Sequence, residues 1–278
     1  MSDLFQQARA VADTLGHCDP LWLREKTEPD FGYVPSSGEP SGPPMVLLHG
    51  LMGALSNWDS TVPLFKKYSD PIAFHFPLLT AHRSEVKIKA LAAYTWYFIK
   101  KYKLDPLPIC GNSLGGHVAL RLYLAAPDVV DCLILSGTSG LYEHSVDSLP
   151  VRPQHDFIRD HMGRVFKQAE FITDEAVEEV YQIVKDRKNV LNIIHAARSA
   201  KRDNLYDLLP EVKVPTLLLW GEDDEVTTMD VAETFHQRIP NSKLVTIKNC
   251  GHAPMIEHPE WFAEEVQKFL KEHSSRSK

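Results

Sequence analysis

The sequence predicts an α/β fold: a mostly parallel, doubly wound sheet with helices on both faces and a helical segment inserted between two strands. Three observations lead to this prediction. Short, continuously apolar runs alternate with helical patterns, which is the order that a parallel sheet with crossover helices requires. About seventy residues in the second half contain no convincing strand pattern. The length of 278 residues suits one large domain that carries such an insertion.

Six apolar runs predict the strands, and most are apolar at every position, as in strands buried on both faces. In chain order they are 44–49, 72–76, 107–110, 129–136, 214–220 and 243–247. Helical patterns separate them at 55–68, 84–103, 113–126, 230–238 and 259–270. An amphipathic pattern over residues 2–16 predicts an extra helix before the first strand.

The helical insertion covers residues 141–210, between core segments 1–140 and 211–278. We interpret it as a cap over the carboxyl edge of the sheet, because ligands of open α/β sheets bind at that edge. The alternative is that the insertion only adds to the core. A proline-containing stretch, residues 147–153, predicts a stiff linker into the cap.

The pentapeptide Gly111-Asn112-Ser113-Leu114-Gly115 lies between an apolar run and a helical pattern. A serine on such a strand-to-helix turn has the geometry of a nucleophile elbow, and the glycines leave room for the turn. The N–H of Leu114, at a helix N-terminus, could then donate to a developing oxyanion. The alternative reading is a helix-capping serine.

A serine nucleophile needs a base and an acid that orients the base. His252 follows the last predicted strand within Asn249-Cys250-Gly251-His252-Ala253, which favours it as the base. Four acids, residues 222–225, end the preceding strand, and periodicity does not separate Asp224 from Asp223. The alternative for this segment is a solvated acidic loop.

A second oxyanion donor is predicted in His49-Gly50-Leu51-Met52-Gly53, which follows another buried strand. We choose the N–H of Leu51 as the partner of the Leu114 N–H. The side chains of Leu51 and Met52 would wall the pocket. Residues adjoining these motifs are further candidates for substrate binding: His49, Gly50, Met52, Asn112 and Ala253.

Together these motifs, in the order Ser…Asp…His, resemble the α/β-hydrolase superfamily from about residue 44 to 270. The resemblance implies an α/β-hydrolase fold with the cap in its usual place. In that superfamily the acid commonly stands three residues after the glycine that ends its strand, which here is Gly221. The resemblance therefore selects Asp224 as the acid.

Within the superfamily, Gly-Asn-Ser-Leu-Gly-Gly-His and the later Leu135-Ser136-Gly137-Thr138-Ser139-Gly140 are similar to the meta-cleavage-product C–C hydrolases. This similarity implies that Arg187 or Arg198 in the cap could bind a substrate carboxylate. Two features depart from that group. Ala253 stands where those enzymes carry Trp, and segment 74–84 lacks their usual Asp-x-x-Gly-x-Gly-x-Ser turn. The segment is either a pocket-lining loop or a plain surface connection.

The expected function is a serine hydrolase that cleaves a small, mainly hydrophobic ester, with Ser113 as nucleophile, His252 as base and then acid, and Asp224 orienting His252. One alternative is C–C bond hydrolysis of 2-hydroxy-6-oxo-dienoates by the same triad. Another is a ligand-sensing homologue in which slow turnover serves signalling.

Charge and composition exclude other classes. The net charge of −7, without a basic stripe, argues against nucleic-acid and membrane partners. Four scattered cysteines suggest reduced thiols, and no run approaches the ~18 apolar residues that span a bilayer. The N-terminal residues do not resemble a signal peptide, so we expect a cytoplasmic location. We expect a small-molecule substrate, a monomer or homodimer, no metal and no cofactor, because neither metal-ligand spacing nor a phosphate-binding loop is present.

Overall fold

The fold is built on a seven-stranded sheet, seen in a computed structural model that describes residues 2–16, 18–34, 42–51, 58–142 and 154–273. The sheet order is β1-β3-β2-β4-β5-β6-β7, and every strand pair is parallel except β1 with β3. The strands are β1 (Gly32–Val34), β2 (Pro44–Leu48), β3 (Asp70–His75), β4 (Leu107–Asn112), β5 (Val130–Ser136), β6 (Thr216–Gly221) and β7 (Ser242–Ile247). The predicted mostly parallel α/β fold is confirmed, and β1 is the strand that the patterns missed.

Helices connect these strands on both faces. They are α1 (Ser2–Thr14), α2 (Leu21–Glu25), α3 (Val62–Phe65), α4 (Ile88–Lys101), α5 (Leu114–Ala125), α6 (His155–Val165), α7 (Asp174–Val184), α8 (Arg187–Arg202), α9 (Met229–Arg238), α10 (Pro254–Glu257) and α11 (Pro259–His273). The helix predicted over 55–68 is wrong in extent: α3 is a single turn, and residues 52–57 lie outside the described part of the chain. Pro63 stands in its first turn, where a residue without an N–H starts a helix and does not continue one.

The strand side chains divide between two cores, one on each face of the sheet. Along β2, Val46 and Leu48 face the core that contains α1, α4 and α5, whereas Met45 and Leu47 face the core that contains α3 and α11. Both sets are fully buried. Because side chains alternate along a strand, burial on both faces produces the continuous apolar runs of the sequence.

Helices α6, α7 and α8, which we call the cap helices, form a small core of their own. Its buried members are Ile158, Met162, Val177, Val184, Val190 and Ile193, and Leu51 and Leu79 of the sheet-edge loops pack against them. The buried amide of Asn192 on α8 donates to the carbonyls of Leu78 and Ala81. The cap helices therefore lie over the loops that follow β2 and β3. The domain boundaries at residues 141 and 210 stay a prediction, and the predicted linker lies outside the described residues.

None of the helices within the described ranges is both long and apolar enough to cross a membrane. All four cysteines are free thiols, and Cys110, Cys132 and Cys250 are buried.

Candidate active site

Ser113 occupies the turn between β4 and α5 with φ 53° and ψ −116°, a strained backbone conformation for a non-glycine residue. Its N–H donates to the carbonyl of Ser136 at the end of β5, at 2.9 Å. Helix α5 lies close to β2: a Cβ on Gly115 would sit 2.1 Å from the carbonyl oxygen of Leu48. Glycine at this position lets the helix pack directly on the sheet, which fixes the turn that carries Ser113.

Asp224 and His252 form a buried pair, with Asp224 Oδ2 2.8 Å from His252 Nδ1. The Oδ1 atom of Asp224 accepts the N–H groups of Val226 and Thr227, and its Oδ2 also accepts the Thr227 hydroxyl. Asp223 lies at the surface, where it pairs with Lys167 at 3.0 Å. The structure thus brings His252 together with Asp224 and not with Asp223.

The loop of His252 adjoins the turn of Ser113. The Asn112 side-chain amide donates to the carbonyls of Ser136 and His252, at 3.2 and 3.1 Å. A Cβ on Gly137, the residue after β5, would lie 2.8 Å from His252 Nδ1. The amide nitrogen of Asn112, a predicted substrate contact, is therefore engaged in joining the two loops.

The turn after β2 lies against Ser113, since a Cβ on Gly50 would be 3.3 Å from the Ser113 Cβ. His49 Nδ1 donates to the Gly50 carbonyl at 2.7 Å, and its Nε2 accepts the Phe76 N–H at 3.1 Å. Burial lowers the pKa of His49 to about 4, so the ring is neutral at physiological pH, as this pair of hydrogen bonds requires. Because the Gly50 carbonyl and the Leu51 N–H belong to one peptide, His49 orients the Leu51 N–H.

The peptide that carries the Leu114 N–H is held in the same way. Its carbonyl, that of Ser113, accepts the N–H groups of His117 and Ser139, each at 3.2 Å. Both N–H groups predicted to stabilise an oxyanion thus belong to peptides whose carbonyls have fixed partners. Such preorganised donors need no rearrangement when charge develops.

A cleft of about 470 Å³ lies beneath the cap helices and is bounded at one side by His49 and Leu51 of the turn after β2; Ser113 and His252 are not among its lining residues. Its volume falls within the usual range for small-molecule sites. Its lining comprises Asp30, Gly32, His49, Leu51, His75, Phe76, Pro77, Leu78, Leu79, Thr80, Tyr94, Ile183 and Ile193. The sequence left two alternatives for segment 74–84, a pocket-lining loop and a plain surface connection. Residues 75–80 of this segment line the cleft, which supports the first alternative.

Three other predicted substrate contacts lie away from the cleft lining. Ala253 is buried in the core beneath the sheet, and Arg187 and Arg198 are exposed and outside the cleft lining. Met52 lies outside the described residues. Within the described ranges no group of three or more His, Cys, Asp and Glu side chains is placed to hold a metal ion.

Sequence patterns missed three polar contributors near the site. Thr227 supports Asp224, and the buried carboxylate of Glu257 accepts the Gly251 N–H next to His252. Asp203, the residue directly after α8, accepts two hydrogen bonds from Arg121 on α5. The hydrogen-bond partners of these three residues are either distant in the sequence or brought close by the shape of a turn. Helical and strand periodicity therefore does not predict these contacts.

A seven-stranded sheet, an elbow serine and a buried Asp–His pair define an α/β hydrolase. Residues 45–265 match the sequence model of the alpha/beta hydrolase family, and the chain belongs to this family.

Among curated relatives, the chain is 29% identical over 82% of its length to a 2-hydroxy-6-oxo-6-(2'-aminophenyl)hexa-2,4-dienoic acid hydrolase of Metapseudomonas resinovorans, covering 84% of that protein. It is 26% identical over 80% of its length to a pimeloyl-[acyl-carrier protein] methyl ester esterase of Nitrosomonas europaea, covering 93% of it. Among solved structures, an α/β hydrolase from a sediment metagenome of the Mar Chica lagoon, Morocco, shares 33% identity at a TM-score of 0.70, with 88% and 96% of the two chains covered. The relatives thus support a hydrolase and include both a dienoic acid hydrolase and a methyl ester esterase.

Proposed function

We propose that this hydrolase cleaves small, mainly hydrophobic esters, with Ser113 as the nucleophile. The observation that carries the proposal is the buried Asp224–His252 pair beside the strained serine turn. Asp224 accepts a hydrogen bond from the Nδ1–H of His252, which leaves the Nε2 lone pair as the base for the Ser113 hydroxyl. A serine hydroxyl next to such a base becomes an effective nucleophile toward an acyl carbon.

The reaction proceeds in two acyl transfers. Ser113 Oγ attacks the ester carbonyl while His252 takes the hydroxyl proton, and the N–H groups of Leu51 and Leu114 stabilise the oxyanion. Collapse of the tetrahedral intermediate expels the alcohol, which receives the proton from His252. Water, activated by the same histidine, then hydrolyses the acyl-enzyme and regenerates Ser113.

The cleft supports a mainly hydrophobic substrate. Seven of its described lining residues are apolar side chains: Leu51, Phe76, Pro77, Leu78, Leu79, Ile183 and Ile193. Burial lowers the pKa of His75, which favours a neutral ring, and the Tyr94 hydroxyl is engaged with the Asp30 carbonyl. The one carboxylate of the lining, exposed Asp30, would repel an anionic substrate, and the described lining contains no lysine or arginine.

C–C bond hydrolysis of a dienoic diketone acid is the second candidate, favoured by the similarity to the dienoic acid hydrolase of Metapseudomonas resinovorans. The same triad would serve it. The exposed positions of Arg187 and Arg198 weigh against this candidate, because a substrate carboxylate then lacks the predicted cationic partner in the described cleft.

The two candidates are separated by a substrate panel on the full chain. The p-nitrophenyl esters from acetate to dodecanoate are compared with a chromogenic dienoate, using wild type and Ser113→Ala. We expect ester turnover to exceed dienoate turnover, and Ser113→Ala to lose at least about 10⁴-fold in kcat. Faster dienoate turnover would favour C–C hydrolysis. A fluorophosphonate probe should label Ser113, and folded wild type that resists labelling would refute the serine mechanism.

A further inference from the structure

The last residue of α6 and the three residues after it, residues 165–168, lie directly on the loop of His252; we call this segment the strap. The main-chain N–H of His252 donates to the carbonyl of Val165 at 2.7 Å. A Cβ on Gly251 would lie 2.4 Å from the same carbonyl oxygen, so glycine is required for this approach. The strap, which leaves the cap helices, thus supplies a hydrogen-bond partner to the backbone of the proposed base.

The carboxylate of Glu257 joins the strap to this loop. Only 6% of Glu257 is exposed, although it carries an ionisable side chain. Its Oε1 accepts the Gly251 N–H at 2.7 Å, and its Oε2 accepts the Gln168 N–H at 2.9 Å. Hydrogen bonds to a carboxylate are roughly twice as strong as neutral ones, so each oxygen holds one chain segment firmly.

The strap makes further polar contacts through the side chains of Gln168 and Lys167, including a partly buried approach of the Gln168 amide to His258 Nε2 at 3.1 Å. The Gln168 side-chain amide donates to the Asn249 carbonyl at 3.2 Å, and Lys167 pairs with Asp223 at 3.0 Å. Both are exposed, and exposed pairs contribute little because water and salt screen them. Glu257 therefore provides the buried side-chain link between the strap and the loop, beside the main-chain hydrogen bond from His252 to Val165.

We propose that Glu257 is a positioning residue, and that it couples the cap helices to His252 through the strap. It holds Gly251 and Gln168 in place, and so keeps the Val165 carbonyl on the His252 N–H. The His252 carbonyl is held from the other side by Asn112. Loss of the Glu257 hydrogen bonds would let the backbone of His252, and with it the imidazole, shift. A displacement of about 1 Å in a reacting group can lower the rate about 10²-fold. The inference rests on the proposed role of His252 as the base.

The test is the rate at which a fluorophosphonate labels Ser113, measured with kcat and KM for the best ester. Glu257→Gln converts one oxygen to an NH₂ group that must face an N–H donor. We expect labelling and kcat to fall about 30-fold, with KM within about twofold of wild type. Lys167→Met removes only the exposed ion pair of the strap. It should change neither the labelling rate nor kcat by more than about twofold.

A second pair of variants isolates the strap. Gln168 has φ −89°, near the roughly −65 ± 15° that proline adopts, so Gln168→Pro removes the N–H with a small backbone adjustment, whereas Gln168→Ala keeps the N–H. We expect Gln168→Pro to slow labelling about tenfold relative to Gln168→Ala. This pair decides the matter if Glu257→Gln does not fold.

The inference is overturned if folded Glu257→Gln is labelled as fast as wild type. It is also overturned if Gln168→Pro is labelled as fast as Gln168→Ala. The proposed function would still stand in that case, since wild type would be labelled at Ser113. Absence of labelling in wild type would instead refute the proposed function itself.

Discussion

Arg121 and Asp203 form a bidentate ion pair, with Arg121 Nε and Nη2 2.6 and 2.7 Å from the two carboxylate oxygens. It joins α5, the helix that follows the serine turn, to the residue directly after the last cap helix. Burial raises the pKa of Asp203, but its contacts with His117 and Arg121 outweigh this effect and hold the pKa below the usual range. The Asp203 carboxylate is thus charged and largely withdrawn from water, so its charge is stabilised by its contacts with His117 and with the guanidinium of Arg121.

Removing the guanidinium should destabilise the fold. Arg121→Met leaves the Asp203 carboxylate without its bidentate donor, and we expect the free energy of unfolding to fall by about 3 kcal/mol. The double variant Arg121→Met/Asp203→Leu should recover most of this loss, because no buried charge remains. Urea unfolding measures both effects.

The control is Arg9→Met, which breaks the exposed Arg9–Asp19 pair at the surface. It should cost less than about 1 kcal/mol. Equal costs for Arg121→Met and Arg9→Met would show that the partly buried pair contributes no more than a surface pair.

Thr227→Val tests the support of the proposed catalytic acid. The Thr227 hydroxyl donates to Asp224 Oδ2 at 2.9 Å and is fully buried, so valine keeps the shape and removes the hydrogen bond. Hydrogen bonds to charged groups contribute about 1.5–3 kcal/mol, so we expect kcat to fall about tenfold or more with little change in KM. Steady-state kinetics on the best ester measure the effect.

Thr227→Ser keeps the hydroxyl and should restore most of the activity. Thr234→Val is the matched control, because that exposed hydroxyl only bonds to the Asp230 carbonyl of its own helix. If Thr227→Val and Thr234→Val are equally active, Asp224 does not need the hydroxyl.

The central strands and the serine turn were predictable because their signals are local. A strand buried on both faces is apolar throughout, and the turn between strand and helix needs small residues beside Ser113. β1 was not predictable, because three residues at an antiparallel edge carry too little pattern. The choice between Asp223 and Asp224 depends on turn geometry that periodicity does not encode.

Glu257 shows why the rest of the site could not be predicted. In the sequence it follows a short apolar stretch and precedes His258-Pro259, as an exposed residue at a helix start would. It is buried because the strap, about ninety residues earlier in the chain, packs over it. Contacts of this range depend on how the cap docks on the sheet, and no local propensity reports that.

The lowered pKa of His49 predicts a pH dependence of stability. The pKa is about 4 in the folded protein and about 6.5 when the chain is unfolded. Between these values the unfolded chain binds a proton that the folded protein does not. The stabilisation is therefore complete above about pH 6.5 and is lost as the pH falls toward 4, by roughly 2 to 3 kcal/mol at about pH 4.5.

His49→Gln removes this titration, so its stability should fall less than that of wild type between about pH 7.5 and about pH 4.5. Urea unfolding at the two pH values measures the difference, and the other histidines are common to both proteins. Parallel losses in wild type and His49→Gln would mean that His49 titrates normally in the folded state.

Enlarging one cap residue should shorten the preferred substrate. Ile183 lies near the C-terminus of α7 and lines the cleft. Ile183→Trp therefore reduces the space in the cleft beyond Leu51. Since the loss of each methylene contact costs about 1–3 kcal/mol, we expect kcat/KM for long-chain esters to fall at least about tenfold while acetate stays within about threefold. Leu191→Trp is the matched control, because Leu191 is 41% exposed on the neighbouring helix α8. It should leave the acyl-length profile of wild type unchanged. If Ile183→Trp also keeps that profile, or lowers all esters equally, the acyl chain does not occupy the cleft, because only a chain that fills the space meets the new indole ring.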